Sequence, residues 1–441
     1  MHYQTNTSIL ALLCLTRRSI TGSTVDNQSG TKLEFKPFNI LALDGGGVWS
    51  LIQVRALKAI FGEDAKGHDV LSHFQLVAGN SSGALILGAL IEDLALLEIE
   101  QLFLDPAQRR KIFAPLNALH VEDEALVGPL GLGPKYSAAH KLVGIQTLLP
   151  NFGSARLDTL SGAGVNKNGW PKFLICAFDY DLRRETFFRS DAESLANDSL
   201  NRHSPTLVEA IHASTNTPID YFDLPARFPA NPDFMGRRYW DGAVAGSNNP
   251  VLAAVTEAIA NRARYACPTS SIHVLSIGTG NNRLPLDDPD SPLPADADLA
   301  VHRTFPNLKK DVAELIKSIF SDPPDAATYI THVALDGEVT NVAGHPVSGR
   351  VIRMNPLVSP LLKGTQTWGL PAGLTYDEFS TLAALDIDAT SSAEIALVGK
   401  FCDLWLRDSV PNQPIRANEH FETLIGHGVF SRALAAFRSF P

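Results

Sequence analysis

Residues 38–61 read FNILALDGGGVWSLIQVRALKAIF. The run Phe38–Leu43 is apolar and of strand length, and Asp44–Gly47 (DGGG) ends it. Beyond the glycines, Leu51, Val54 and Leu57 recur at helical spacing. The stretch therefore predicts a strand, a tight glycine loop and a helix, in that order.

The same order of elements returns directly afterwards. Phe74–Ala78 (FQLVA) is apolar, Gly79–Gly83 (GNSSG) consists of small residues, and Ala84–Leu104 reads as one long buried helix. Further strands are predicted at Phe173–Phe178, Ile272–Ile277 and Arg350–Met354, and a helix at Leu207–Ala213. Alternating strands and helices predict an α/β fold with a largely parallel sheet covered on both faces. Such sheets bind ligands at the carboxyl ends of their strands.

The composition is that of a globular protein that does not bind nucleic acid. Hydrophobic residues make up 45% and charged residues 19% of the 441 residues, enough apolar material for a sizeable core. The formal net charge is −10, whereas nucleic-acid phosphates require a clustered basic face. The four cysteines lie far apart without metal-ligand spacing, so we expect free thiols, no metal and no cofactor.

The chain is expected to divide into three parts. Residues 1–37, whose second half is rich in small polar residues, predict a flexible leader. Residues 38–400 predict one domain that carries the motifs, and residues 401–441 a helical extension packed on it. The apolar run Ile9–Leu15 is followed rather than preceded by basic residues, the reverse of a secretory signal. We therefore expect a cytoplasmic protein with at most peripheral membrane contact, and the sequence gives no indication of its oligomeric state.

The motif Gly79-x-Ser81-x-Gly83 lies between a predicted strand and a predicted helix, the context of a nucleophile elbow. Such a tight turn presents the serine hydroxyl at the N-terminus of the following helix. There the N–H of Ser82 and the helix dipole favour negative charge on an attacked carbonyl oxygen.

A serine hydroxyl needs a base that takes its proton. The candidates are the thirteen histidines and the loop aspartates, among them Asp44, Asp241 and Asp336. Gly242 would keep the surroundings of Asp241 open. The backbone N–H groups of Gly45, Gly46 and Gly47 are unobstructed by side chains and can bind an anion, either a phosphate or a transient oxyanion.

These motifs together resemble those of the patatin-like phospholipases and acyl hydrolases. The resemblance extends over residues 38–357 and rests on motifs in the family order: Asp44–Gly47, Gly79–Gly83 and Asp241–Ala243 with Asn249-Pro250. Weaker similarities are Lys135–Ser137, Glu209–Ser214 leading to Pro218, and Ser276–Gly280.

The resemblance implies a three-layer α/β/α sandwich whose serine and aspartate act as a dyad without histidine. Ser81 would attack the ester of a lipid, at a membrane surface or in aggregates, and Asp241 would act as general base. The oxyanion would be bound by Gly45, Gly46, Gly47 and Ser82. The elbow and its surroundings would be supported by Asp44, Gly79, Gly83 and Gly242.

One departure from the family pattern concerns the residues after the glycines. Members usually carry a basic residue followed by glycine there, whereas this chain has Trp49-Ser50. The difference bears on phospholipid head groups more than on acyl chemistry, so neutral lipids and galactolipids remain candidate substrates. Leu130 and Leu132, in the glycine-rich segment Val127–Pro134, are hypothesised to contact lipid near the site.

Three alternatives stay open. An α/β-hydrolase with a Ser–His–Asp triad would need a later histidine, and the candidates are His273, His302, His332, His345, His420 and His427. A sugar-kinase-like ATP-binding protein would use Asp44–Gly47 as a phosphate loop between two strands of a hairpin. A catalytically inactive relative would bind lipid without a reactive serine.

Overall fold

The strands and helices are those of a computed structural model. It describes residues 36–116, 133–160, 171–191, 204–228, 236–284, 323–339, 349–363, 367–389, 391–418 and 423–441. The strands are β1 (Phe38–Leu43), β2 (Leu76–Asn80), β3 (Lys172–Asp179), β4 (Arg184–Arg189), β5 (Tyr239–Asp241), β6 (Ile272–Ile277), β7 (Asn281–Asn282), β8 (Val351–Met354), β9 (Leu357–Val358), β10 (Leu361–Lys363), β11 (Thr367–Gly369), β12 (Arg416–Asn418) and β13 (Thr423–Ile425). The helices are α1 (Leu51–Phe61), α2 (Gly67–Leu71), α3 (Ser82–Ile91), α4 (Leu96–Leu104), α5 (Pro106–Ile112), α6 (Ala138–Leu148), α7 (Leu157–Leu160), α8 (Leu207–Ser214), α9 (Val251–Ala260), α10 (Pro323–Ala334), α11 (Tyr376–Ala384), α12 (Ser392–Leu406) and α13 (Phe430–Arg438).

A seven-stranded sheet forms the centre of the fold, in the order β4-β3-β2-β1-β6-β8, with β5 paired to β3. The strands β3, β2, β1, β6 and β8 are parallel, and β4 and β5 are antiparallel to β3. The strand predicted at Phe38–Leu43 is present with these bounds, and the one predicted at Phe74–Ala78 lies two residues further on. The mostly parallel sheet predicted from the sequence is confirmed.

Helices cover both faces of this sheet. Alternate residues of β1 belong to two different apolar clusters, because successive side chains of a strand point to opposite faces of the sheet. Leu41 and Leu43 join the cluster that contains the buried residues of α1 and α3. Ile40 and Ala42 join the cluster on the other face, which contains the buried residues of α9. The α/β/α layering is thus confirmed as well.

The prediction of one long helix at Ala84–Leu104 is wrong, because two helices, α3 and α4, occupy this stretch. Asp93, between them, has φ 63°, which takes the backbone out of the helical conformation. The Glu98 side chain accepts the Ala95 N–H at 2.8 Å and so caps the start of α4. Both stretches are apolar, so periodicity alone does not reveal the break.

The arrangement around β3 decides which residues meet at the end of β2. Cys176 of β3 pairs with Asn80, the last residue of β2, and Ala177 pairs with Asp241, the last residue of β5. Because β4 occupies the other edge of β3 at both positions, β2 and β5 share one edge. The carboxyl ends of β2 and β5 therefore meet end to end beside β3.

The predicted division at residue 400 falls within α12, which runs from Ser392 to Leu406. Arg55 of α1 donates to Gly399 O at 2.7 Å and to Asp403 Oδ1 at 2.8 Å, so α12 packs on α1 on both sides of that position. The division into a domain and an extension stays a prediction. All of the predicted leader except residues 36 and 37 lies outside the described residues.

Candidate active site

Ser81 forms the sharp turn between β2 and α3. Its backbone has φ 51° and ψ −125°, a strained conformation for a residue other than glycine. A Cβ at Gly83 would collide with the Leu43 carbonyl oxygen, and one at Gly79 with the backbone of Ala84. The two glycines thus let α3 approach the sheet closely, which is the geometry of a nucleophile elbow.

The carboxylate of Asp241 lies against Ser81. Asp241 ends β5, and its carboxylate lies beside the Ser81 hydroxyl. Three further donors reach the same carboxylate: Asn80 Nδ2 at 2.9 Å, Thr217 Oγ1 at 3.0 Å and the N–H of Ala243 at 2.9 Å. The residues that the sequence placed 160 positions apart are therefore brought into contact.

The surroundings of Asp241 favour proton transfer from Ser81. The side chain of Asp241 is buried, and burial raises its pKa, while hydrogen bonds from Ser81, Ala243, Asn80 and Thr217 oppose the rise. A carboxylate with a raised pKa is a stronger base than an ordinary aspartate, and it makes a bonded hydroxyl a better nucleophile. This arrangement can activate a serine without a histidine.

None of the described histidines of the triad alternative, His273, His332 and His427, lines the pocket at Ser81. The ring of His273 contacts the Ser271 carbonyl oxygen, and that of His332 the Glu338 carbonyl oxygen. Three other candidates of the triad alternative, His302, His345 and His420, lie outside the described residues.

The segment from Ser214, the last residue of α8, to Thr217 contacts both members of the pair. Ser214 Oγ accepts the N–H of Ser81 at 2.8 Å, and the Asn216 carbonyl oxygen accepts the N–H of Asp241 at 3.0 Å. The signal for this segment in the sequence was weak and consisted of the family-like run Glu209–Ser214. Asn216 and Thr217 were missed because single polar residues in a loop carry no pattern.

The glycine loop offers fewer free amides than the sequence suggests. The N–H of Gly45 donates to the Asn248 carbonyl oxygen at 2.9 Å, and that of Gly46 to Ser82 Oγ at 3.0 Å. Within the described part of the chain, the N–H groups of Gly47 and Ser82 have no acceptor, and both residues line the pocket. Two N–H groups near Ser81 are therefore available to an anion.

Asp44, which precedes the glycines, forms a buried salt bridge. Arg353 Nη1 donates to Asp44 Oδ1 at 2.9 Å, and Arg353 Nη2 donates to Oδ2 at 2.6 Å. Arg353 also donates to Ser276 Oγ at 2.8 Å. Sequence reasoning missed Arg353, although a charged residue within the apolar run at β8 was the available signal.

The two residues that depart from the family pattern are both buried. Ser50 Oγ donates to Ser82 Oγ at 2.6 Å, so its hydroxyl joins the hydrogen bonds that hold the glycine loop. The indole of Trp49 packs edge-on against Phe401 of α12, with ring centroids 6.1 Å apart. Gly242 lies against the Asn80 side chain, where a Cβ would clash.

A mainly apolar pocket opens at Ser81. Its walls include Leu85, Phe103, Leu148 and Phe222. Such a lining suits a hydrocarbon chain rather than a nucleotide. The loop Asp44–Gly47 moreover continues into a helix, and β1 pairs with β2 in parallel, which excludes the phosphate-loop hairpin of the sugar-kinase alternative.

The described residues lack two further features. They contain no cluster of three or more His, Cys, Asp or Glu side chains that could hold a metal ion. No helix among them has the length and apolar character needed to cross a bilayer. The hypothesised lipid contacts Leu130 and Leu132 lie outside the described ranges.

Residues 41–255 match the family model of the patatin-like phospholipases. These residues form a patatin-like phospholipase domain. The resemblance read from the motifs is thereby confirmed for this segment. The patatin-like domain contains both Ser81 and Asp241, whereas β6, β8 and Arg353 lie beyond it in the same sheet.

The chain is also similar to two proteins of known description. Over 66 residues, 15% of this chain, it is 36% identical to an intracellular phospholipase A2 of Caenorhabditis elegans. The match spans only 6% of the length of that protein. The crystal structure of VipD from Legionella pneumophila aligns with 10% identity and a TM-score of 0.33, covering 83% of this chain and 67% of VipD.

Proposed function

We propose that this chain is a serine lipid acyl hydrolase that cleaves carboxylic esters of membrane lipids. The observation that carries the proposal is the position of the Ser81 hydroxyl beside the buried carboxylate of Asp241, at an apolar pocket. The match of residues 41–255 to patatin-like phospholipases supports the same chemistry.

The first half of the reaction transfers the acyl group to the enzyme. Ser81 Oγ attacks the carbonyl carbon while its proton passes to the Asp241 carboxylate. The resulting oxyanion accepts hydrogen bonds from the backbone N–H groups of Gly47 and Ser82 at the start of α3. Collapse of this intermediate breaks the ester C–O bond, and the proton on Asp241 goes to the leaving alcohol.

The second half releases the fatty acid. Asp241 takes a proton from a water molecule, whose oxygen attacks the carbonyl carbon of the acyl-enzyme. The bond to Ser81 Oγ then breaks, and Asp241 returns the proton to that oxygen. The apolar walls at Leu85, Phe103 and Leu148 hold the acyl chain during both halves. Neither half calls for a metal or a cofactor, so we propose hydrolysis by protein groups alone.

We propose two oxyanion donors, fewer than the four that were expected from the sequence. Gly45 and Gly46 support the site by holding the loop against Asn248 and Ser82. Their amides are engaged with these acceptors, so Gly47 and Ser82 are the proposed donors.

A fluorophosphonate probe tests the proposal directly, because it reacts with an activated serine and not with a packed one. We expect wild-type protein to be labelled at Ser81, and Ser81→Ala and Asp241→Asn proteins to remain unlabelled. Hydrolysis of a panel of phospholipids, galactolipids and acylglycerols then identifies the substrate class. Labelling that survives Asp241→Asn but is lost on replacement of a histidine would instead support a Ser–His–Asp triad.

A further inference from the structure

Lys141, on α6, is fully buried beside the candidate site. Its Nζ donates to Asn216 Oδ1 at 2.8 Å and to the His212 carbonyl oxygen at 3.2 Å. The same Nζ lies 4.0 Å from the centre of the Phe222 ring. An ammonium group has three N–H donors and is costly to bury, so two oxygens and an aromatic face are the partners it requires.

The oxygens that Lys141 holds belong to the segment that positions the reacting residues. Asn216 accepts the N–H of Asp241 through its carbonyl oxygen, and its Nδ2 donates to the Leu224 carbonyl oxygen at 2.6 Å. Within the same segment, Ser214 accepts the N–H of Ser81. Lys141 thus joins α6 to a segment that contacts both Ser81 and Asp241.

Two carboxylates face the buried amine of Lys141. Burial lowers the pKa of Lys141 well below its ordinary value, and the nearby Asp241 and Asp223 oppose that shift. His212 also faces Lys141, and burial, with a smaller contribution from Lys141, lowers the pKa of His212. A nearby cation favours the ionised form of a carboxylate.

We propose that Lys141 is a positioning residue for the reaction at Ser81. Through Asn216 it holds the Asp241 carboxylate against the Ser81 hydroxyl, and its charge favours the ionised form of that carboxylate. Lys141 does not line the pocket and acts through its neighbours. The inference rests on the proposed function, because it assigns a role within the same reaction.

The test is the kinetics of Lys141→Met with a soluble monomeric ester. We expect kcat to fall about 10–100-fold with little change in KM, because small displacements of reacting groups have effects of this size. We also expect the acid limb of the pH profile of kcat/KM to move to higher pH, because the Asp241 carboxylate loses a neighbouring cation. Replacement of a lysine with a purely structural role would leave the acid limb in place.

Lys58→Met is the matched control. Lys58 is a mostly buried lysine of α1 that pairs with Glu100 Oε2 at 2.6 Å and does not line the pocket. Its replacement should lower stability and leave both kcat and the acid limb unchanged. If Lys141→Met fails to fold, Lys141→Gln carries the test, since it keeps an N–H donor without the charge and should still move the acid limb.

Folded Lys141 variants with the kcat and acid limb of the wild type would overturn the role of Lys141. That outcome leaves the proposed function intact. Wild-type protein that neither hydrolyses esters nor reacts with the fluorophosphonate at Ser81 would instead refute the proposed function itself, so the two failures are distinguishable.

Discussion

Arg353 and Asp44 form a bidentate salt bridge in the core, with both side chains buried. Asp44 directly follows β1, whereas Arg353 lies on β8, on the far side of β6. The pair therefore fixes the start of the glycine loop to a strand outside the patatin-like domain. This link suggests that the loop depends on parts of the sheet that the family model does not cover.

Arg353→Met should lower the free energy of unfolding by about 3–5 kcal/mol, because it leaves Asp44 as a buried charge without its partner. Denaturant unfolding measures this loss. The double variant Arg353→Met/Asp44→Leu should recover much of it, since both buried charges are then gone. A loss below about 1 kcal/mol in the single variant would mean that the pair behaves like an exposed one.

Activity should depend on pH through Asp241. The base must be ionised, so kcat/KM falls as pH drops through a pKa that burial holds above that of an ordinary aspartate. Thr217→Val removes a hydrogen bond to the ionised form, raises this pKa further and should move the acid limb to higher pH. Thr331→Val is the control, because the buried Thr331 hydroxyl bonds to Ala327 O in α10 and should leave the limb in place.

Gly47→Ala should impair both stability and labelling of Ser81. Gly47 has φ 58°, and a Cβ there would collide with the Ile387 carbonyl oxygen. We expect a stability loss of at least about 1 kcal/mol together with slower reaction with a fluorophosphonate. Gly428→Ala provides the comparison, since a Cβ at that position meets nothing within 4 Å. Equal labelling rates for the two variants would argue against Gly47 as a proposed oxyanion donor.

Leu85→Trp should shift the preference for the length of the substrate's acyl chain. Leu85 lines the pocket at Ser81, and a larger side chain shortens the space for an acyl chain. We expect hydrolysis of long-chain esters to fall about tenfold or more relative to short-chain esters, measured as kcat/KM across a chain-length series. Leu97→Trp, at an exposed position of α4, should leave the ratio unchanged. An unaltered ratio for Leu85→Trp would place the acyl chain elsewhere.

Local patterns in the sequence were sufficient to predict the central strands and the turn at Ser81. The strand at Phe38–Leu43, the glycine loop and the turn at Ser81 follow from apolar runs interrupted by glycine, and neighbouring residues alone determine them. The break at Asp93 escaped prediction because the residues on both sides are apolar. The short strand β5 had only a weak signal, the aromatic pair Tyr239-Trp240 before Asp241, because three residues show no periodicity.

The sequence by itself determined the sheet class, the serine at its strand-to-helix turn and the identity of the patatin-like segment, because these depend on contiguous residues. The contact between Ser81 and Asp241 was decided only by tertiary structure, since it arises where β2 and β5 end on one edge of β3. The same holds for the amides of Gly45 and Gly46, which are engaged by distant acceptors, and for the burial of Lys141. Hydrogen bonds and burial depend on which distant atoms become neighbours, and that is set by the packing of the whole sheet.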